Sequence, residues 1–360
     1  MTRLRIRRGV PIATTLAMLV ACERPQPPRP AIGFGSVGHA AELEQLSADT
    51  QRVRIVFDSS RWGDQDMRSA VTRAERLVEE PGLIGVVGHS SSRTTLAAAP
   101  IYRRAGVPLV VPTSTSRLLR EESNAFVLVP NDSIEGGYIA RFAHDSLHAR
   151  SAWILYINDA YGVGLRDGMR TGAEAVGIAV RAEVPYSEEG DIALLLEAHA
   201  SRARPDVILL AGREKDSRVI VSELAHRMPG VPVVMGDGAG GNPISLSRVV
   251  NPRVPVYVAT FWWPRVGNVR DSAFVASWRA ITGEHPAPID ALKYDAAQLL
   301  VAAVEDGQRT PAQVTRWLES LGRTRAPWTG LVGPVAFTPD TRRPLVMLRP
   351  TAEAIHVAAR

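Results

Sequence analysis

The residues best suited to chemistry in this chain are hydroxyls gathered in two short turns. Ser90, Ser91 and Ser92 form one, and Thr113, Ser114, Thr115 and Ser116 form the other. Each turn follows a short apolar run, 83–87 and 109–111, of the kind buried in a parallel sheet covered on both faces. Ligands of open α/β sheets collect at the carboxyl ends of the strands. Hydroxyls beside the free amides of a helix N-terminus hold a carboxylate, because donors and helix dipole point the same way. The plainer alternative is that both turns only cap helices. Two such turns on adjacent strands, facing one crevice, keep the ligand reading level with it.

Three other patterns suggest chemistry and lose on context. Gly33-Phe34-Gly35-Ser36-Val37-Gly38 fits a dinucleotide fingerprint, with Asp58 about twenty residues on. That fingerprint needs a buried strand just before its first glycine, and here the preceding residues come out of a proline-rich stretch. His144 and His148 stand one helical turn apart, half of a zinc site, but no clear third ligand accompanies them. Gly88-His89-Ser90 lacks the second glycine of a nucleophile elbow. No catalytic constellation results, so the chain is expected to be neither an enzyme nor a holder of metal or cofactor.

Charge excludes a further class. The formal balance is +5, and Lys215 and Lys293 are the only lysines, so arginine carries nearly all the positive charge. Those arginines are scattered among helices, with no interleaved aromatics for base stacking, which argues against nucleic-acid binding.

The elements that must position the hydroxyl turns alternate regularly. Strand-like runs fall at 53–57, 83–87, 109–111, 126–129, 153–157, 178–180, 207–211, 231–235 and 254–259, with helical patterns between most of them. This alternation predicts an α/β protein with doubly wound parallel sheets. The strands are too many for one compact sheet, so two lobes are expected. Asn131-Asp132-Ser133 marks a passage from the first lobe to the second, and late helices over 271–282, 289–305 and 311–321 read as a return. The organisation expected is 31–130 plus 262–328 for the first lobe, and 131–261 plus 329–360 for the second.

The leading residues are of a different kind. Arg3, Arg5, Arg7 and Arg8 precede a mainly apolar segment over 10–20, too short for a convincing membrane span. It ends in Leu19-Val20-Ala21-Cys22, similar to the box at which bacterial lipoproteins are cut and acylated, and Cys22 is the only cysteine. Residues 1–22 are therefore expected to be a lipoprotein signal peptide. Residues 23–30, with Pro25, Pro27, Pro28 and Pro30, read as a stiff tether to a membrane surface.

Five segments in order then resemble one family: TLAAAPIYRRAGVPLVVPTSTS (95–116), YINDAYGVGLRDGM (156–169), VVMGDGAGG (233–241), LKYDAAQLL (292–300) and GPVAFTPD (333–340). Together they resemble the substrate-binding lipoproteins of branched-chain amino-acid-type ABC transporters, which are leucine-binding-protein-like type I periplasmic binding proteins. The resemblance implies two α/β lobes joined by a three-strand hinge, a ligand in the cleft between them, and permease subunits as partners on the periplasmic side of a bacterial membrane. It places Ser92 and Thr115 toward a ligand carboxylate, with Ser91 beside them in the ligand site, and the backbone around Thr113 and Ser114 toward an ammonium or polar group. Tyr161 would cover the ligand from the second lobe, and Asp237 would meet an α-ammonium. Read as residues alone, Tyr161 is equally an interface tyrosine, and Asp237 a turn acid before Gly238.

Two departures from that family stand out. Only residues 31–50 precede the strand at 53, which implies a shortened first unit and an incomplete cleft wall. Arg213 stands after the strand at 207–211, where it either pairs with a ligand carboxylate or is solvated. Both departures argue against leucine, isoleucine or valine and toward a small polar, amino-acid-like ligand. They also leave a second function open, a regulatory or sensory lipoprotein of the same fold acting through a partner protein.

Overall fold

The computed structural model describes residues 28–36, 40–46, 52–57, 66–187, 191–199, 201, 203–239, 250–338 and 343–360. The signal segment, Cys22, Asp58 and most of the tether lie outside the described residues.

The first lobe is built on β1 (Ala31–Phe34), α1 (Ala40–Leu46), β2 (Arg54–Phe57), α2 (Met67–Val78), β3 (Leu83–Val87), α3 (Ser92–Arg104), β4 (Leu109–Val111), a 3-10 turn (Arg117–Glu121) and β5 (Ala125–Val127). Its strands form one parallel sheet in the order β2-β1-β3-β4-β5. β1 corrects the sequence expectation. A buried strand does open this lobe, paired on both sides, so the shortening falls on the seven-residue helix α1 and not on the sheet. The glycine fingerprint has a packing cause. A Cβ on Gly35 would stand 2.7 Å from Nε2 of the buried His89, and one on Gly33 would press on Leu77, Leu83 and Val86.

The second lobe follows with α4 (Asp132–Asp145), β6 (Ser151–Ile157), α5 (Ala160–Val176), β7 (Ala179–Tyr186), α6 (Asp191–Ala198), β8 (Val207–Ala211), α7 (Glu214–Arg227), β9 (Val233–Met235) and β10 (Val256–Thr260). β7 runs well beyond the three residues expected for it. The chain then returns with α8 (Val269–Thr282), α9 (Pro288–Glu305), α10 (Pro311–Ser320) and a hairpin, β11 (Trp328–Gly330) with β12 (Gly333–Val335). Phe274, Trp278, Leu299, Leu300 and Trp317 join Ile32, Phe34 and Ile84 in one apolar core, which is why these helices dock on the first sheet. Finally β13 (Val346–Pro350) and β14 (Ile355–Ala359) close the second sheet, ordered β14-β13-β10-β9-β8-β6-β7.

Three segments therefore cross between lobes: after β5, after β10 and before β13. The last crossing comes later than the expected boundary at 329. Leu331, Val332 and Val335 are buried in the first lobe's core, and both oxygens of Asp295 on α9 accept the amides of Leu331 and Val332, at 2.9 and 2.8 Å. Among the described residues no helix is long and apolar enough to cross a membrane.

Candidate functional site

A cavity of about 320 Å³ lies between the lobes. The first lobe and its returning helices contribute Ser90, Ser91, Ser92, Thr113, Pro288, Ile289 and Leu292; the second contributes Tyr161, Arg213, Glu214, Lys215, Asp237 and Gly238; Thr260 ends β10 and Phe261 begins the crossing after it. Six of the eight residues singled out from sequence thus meet in one place. The paired strands β3 and β4, with Val87 opposite Val110, bring the two hydroxyl turns side by side.

The serines have divided roles. Ser91 is the N-cap of α3: its Oγ accepts the Thr94 amide at 3.4 Å and lies 2.9 Å from Thr94 Oγ1. Its hydroxyl is committed to the helix, as the plainer reading held. Ser90 and Ser92 are different, since their buried Oγ atoms find no partner within the protein while both residues line the cavity. A buried hydroxyl without a partner costs about 1–3 kcal/mol, so such donors at a helix N-terminus favour an anionic guest. Ser114 and Thr115 do not line the cavity. Ser114 Oγ is 2.6 Å from Thr95 Oγ1, and the Thr115 carbonyl accepts the Asp132 amide at 3.0 Å, so both brace the turn from behind.

Opposite the serines, Asp237 is held by its own lobe. Tyr161 Oη donates to Asp237 Oδ1 at 2.9 Å and accepts the Gly238 amide at 2.9 Å. The Asp237 amide in turn donates to Glu135 Oε1 at 2.8 Å. Tyr161 is thereby fixed by its own lobe, lining the cavity with its hydroxyl bonded to the loop after β9. The glycines beside Asp237 permit this approach: a Cβ on Gly238 would stand 2.8 Å from the Tyr161 ring, and one on Gly236 would stand 2.3 Å from Leu165 Cδ2. Burial pushes Asp237 up to about 6, and burial with the neighbouring Asp237 and Glu135 charges holds Tyr161 far above its ordinary value.

Arg213 is neither free nor simply solvated. Its guanidinium bonds Asp159, which also caps α5 by accepting the Tyr161 and Gly162 amides, each at 3.0 Å. It stands 5.9 Å from the Tyr161 ring centre. Its charge is largely answered inside the second lobe. His144, the first half of the supposed zinc pair, is spent on Asp145 and Arg150, at 2.7 and 2.6 Å, and no metal-binding group of His, Cys, Asp or Glu occurs among the described residues.

Known proteins give this geometry a context. A family model described as periplasmic binding protein matches residues 63–349. The chain belongs to the periplasmic binding protein family. Among relatives, an amino acid binding protein of Pseudomonas aeruginosa is 26% identical over 262 residues, spanning 70% of this chain and 68% of the relative. A Leu/Ile/Val-binding protein homologue of Brucella abortus is 24% identical over 285 residues, spanning 77% and 74%. The crystal structure of a leucine binding protein from Thermotoga maritima superimposes with a TM-score of 0.78 at 22% identity, covering 92% of this chain and 97% of that one.

For this periplasmic binding protein, sequence reasoning missed the apolar wall of the cavity and the acid behind Asp237. Ile289 and Leu292 were read only as helix and Phe261 as no element at all, although Pro288 at the first turn of α9 signals that a helix begins there, at the cleft. Lys215 also reaches the cavity. Glu135 gave no signal at all, being one acid in the first turn of a helix.

Proposed function

We propose that this chain is an extracytoplasmic solute-binding protein of an ABC importer that captures a small amino acid with an apolar side chain. The observation that carries this reading is the polarity of the interlobe cavity. Unpartnered serine hydroxyls face it from one lobe, a tyrosine-held aspartate faces it from the other, and Phe261, Ile289 and Leu292 supply an apolar wall. Those ends suit a carboxylate and an ammonium, and the wall suits an aliphatic or aromatic side chain. With Arg213 answered by Asp159, the arginine no longer argues against leucine-like ligands. The names of the relatives, amino acid and Leu/Ile/Val binding, support the same class. Cys22 would carry the lipid that keeps the protein at the membrane, with permease subunits as its partners. The regulatory alternative drew on a truncated first unit, and the presence of β1, which leaves only α1 short, weakens that support.

A thermal-shift series with apolar, acidic and basic amino acids tests the ligand class. Stabilisation by apolar amino acids above the others is expected. Stabilisation by none, with permease genes absent beside this one, would favour the regulatory alternative. Membrane fractionation of Cys22→Ser tests the anchor: release from membranes or retention of the leader is expected, and unchanged fractionation and mass would contradict it.

A further inference from the structure

Behind Asp237 lies a buried acid that the ligand reading does not use. Glu135, in the first turn of α4, is wholly inaccessible to solvent. Its Oε1 accepts the Asp237 amide at 2.8 Å, while its Oε2 is buried without a partner. The Glu135 carboxyl therefore lies against the backbone of Asp237, in the same buried group as the Asp237 carboxylate that Tyr161 holds. Asp132, one turn back on α4 and 1% exposed, adds a third acid to the same buried group. The charged and titratable groups facing this cluster are few. Tyr161 comes from α5, Asp159 precedes α5, Arg213 precedes α7 and is bonded to Asp159, and Arg117 of the 3-10 turn lies toward Asp132. No metal-binding geometry is present among the described residues to neutralise the acids instead.

Neighbouring carboxyl groups shut away from water do not both ionise, because burial and like charge raise the affinity of one for a proton. We propose that Glu135 is held as the neutral acid and is a positioning residue for Asp237, accepting its amide and supplying the proton that joins the two carboxyl groups. Asp237 then carries the single negative charge of the pair and is fixed on three sides: by Tyr161, by its own amide and by the Glu135 proton. Burial, reinforced by Asp237 and Asp132, holds Glu135 well above its ordinary value, which agrees with this assignment. In consequence, capture of an ammonium is linked to protons through Asp237. The ionised form that attracts an ammonium is full above about pH 6 and lost as pH falls through it.

This inference rests on the proposed ligand reading only for that last step, so the test begins without ligand. Glutamine reproduces the required pattern, an oxygen that accepts the Asp237 amide and an N–H that reaches its carboxylate. In the full chain, carboxyl-carbon NMR should show Glu135 neutral at pH 7. Glu135→Gln should keep the parent's melting temperature and leave the Asp237 titration near its parent position, whereas Glu135→Ala should lower the one and displace the other. An ionised Glu135 at pH 7, or a glutamine variant as damaged as the alanine one, would overturn the proposal. With L-leucine as probe, affinity should fall about tenfold per pH unit below pH 6, in parent and Glu135→Gln alike. A pH-independent affinity would contradict the linkage. Failure of L-leucine to bind at any pH would count against the ligand reading, and the NMR and melting data would still decide the proposal.

Discussion

At the scale of single residues, the hydroxyl turns were legible because Ser and Thr at the carboxyl ends of buried strands have few physical reasons to cluster. What the sequence could not show is which hydroxyls are already spent. Ser91 and Ser92 are neighbours of the same type, yet one caps α3 and the other faces the cavity without a partner, a difference set only by where each Cβ points. The two substitutions should therefore separate. Ser91→Ala should cost about 1 kcal/mol of stability, the usual worth of an N-cap, with little effect on affinity. Ser92→Ala should leave stability intact and weaken amino-acid binding about tenfold or more, the loss of a hydrogen bond to a charged group. Paired melting and titration curves check this, and equal behaviour of the two variants would refute the division. Asp237 was legible as an acid beside glycines, whereas Glu135 was not, since its role depends on a contact between residues 102 positions apart.

At the scale of elements, alternation of strand and helix was readable throughout, and the failures share a cause. β1 is only four residues long and emerges from a proline-rich stretch, so its pattern is too brief to recognise without its sheet partners. The hairpin β11–β12 is held to the first lobe by Asp295 and by Arg265, which bonds Asp271 and the Leu331 carbonyl; such tertiary ties leave no local periodicity. The close pairing of α4 and α5, which sets Asp132 and Glu135 behind the cavity, was written more openly. Gly164, Gly168 and Gly172 repeat every fourth residue, a stripe on one helix face opposite Gly136 and Gly137. A Cβ on Gly168 would meet the Asp132 carbonyl oxygen at 2.2 Å, and backbone cannot give way as a side chain would. Gly168→Ala should destabilise by about 1–3 kcal/mol and weaken ligand binding as the acids shift. Gly137→Ala meets only Arg141 Nη1 at 3.5 Å, so it should be neutral or stabilising by up to about 1 kcal/mol. Thermal unfolding of both variants distinguishes them, and a harmless Gly168→Ala would contradict the close packing.

At the scale of the whole molecule, two lobes and three crossings follow from a chain that builds one sheet, leaves, and returns twice, and the site exists only because both lobes face one cavity. Buried acids give the free protein a distinctive response to pH. Burial raises Asp132 to about 7 and Asp237 and Asp295 to about 6, so the folded state holds protons that the unfolded chain releases near pH 4. Their contribution is therefore full at low pH and lost as pH rises through 6 to 7, while His285, lowered by burial, pulls the other way below its ordinary value. The discriminating comparison is between variants: Asp132→Asn should fall less in melting temperature than the parent between pH 5 and pH 8, by several degrees. Identical profiles would show that Asp132 does not titrate in that window. The central claim, that one amino acid bridges the two lobes, is tested most directly by calorimetric titration of L-leucine, 4-methylpentanoate and isopentylamine. L-leucine should bind the parent at least about tenfold more tightly than either analogue. Asp237→Asn should abolish the advantage over the carboxylate analogue, and Ser92→Ala the advantage over the amine. Equal affinities for all three compounds, or advantages untouched by both substitutions, would contradict the account.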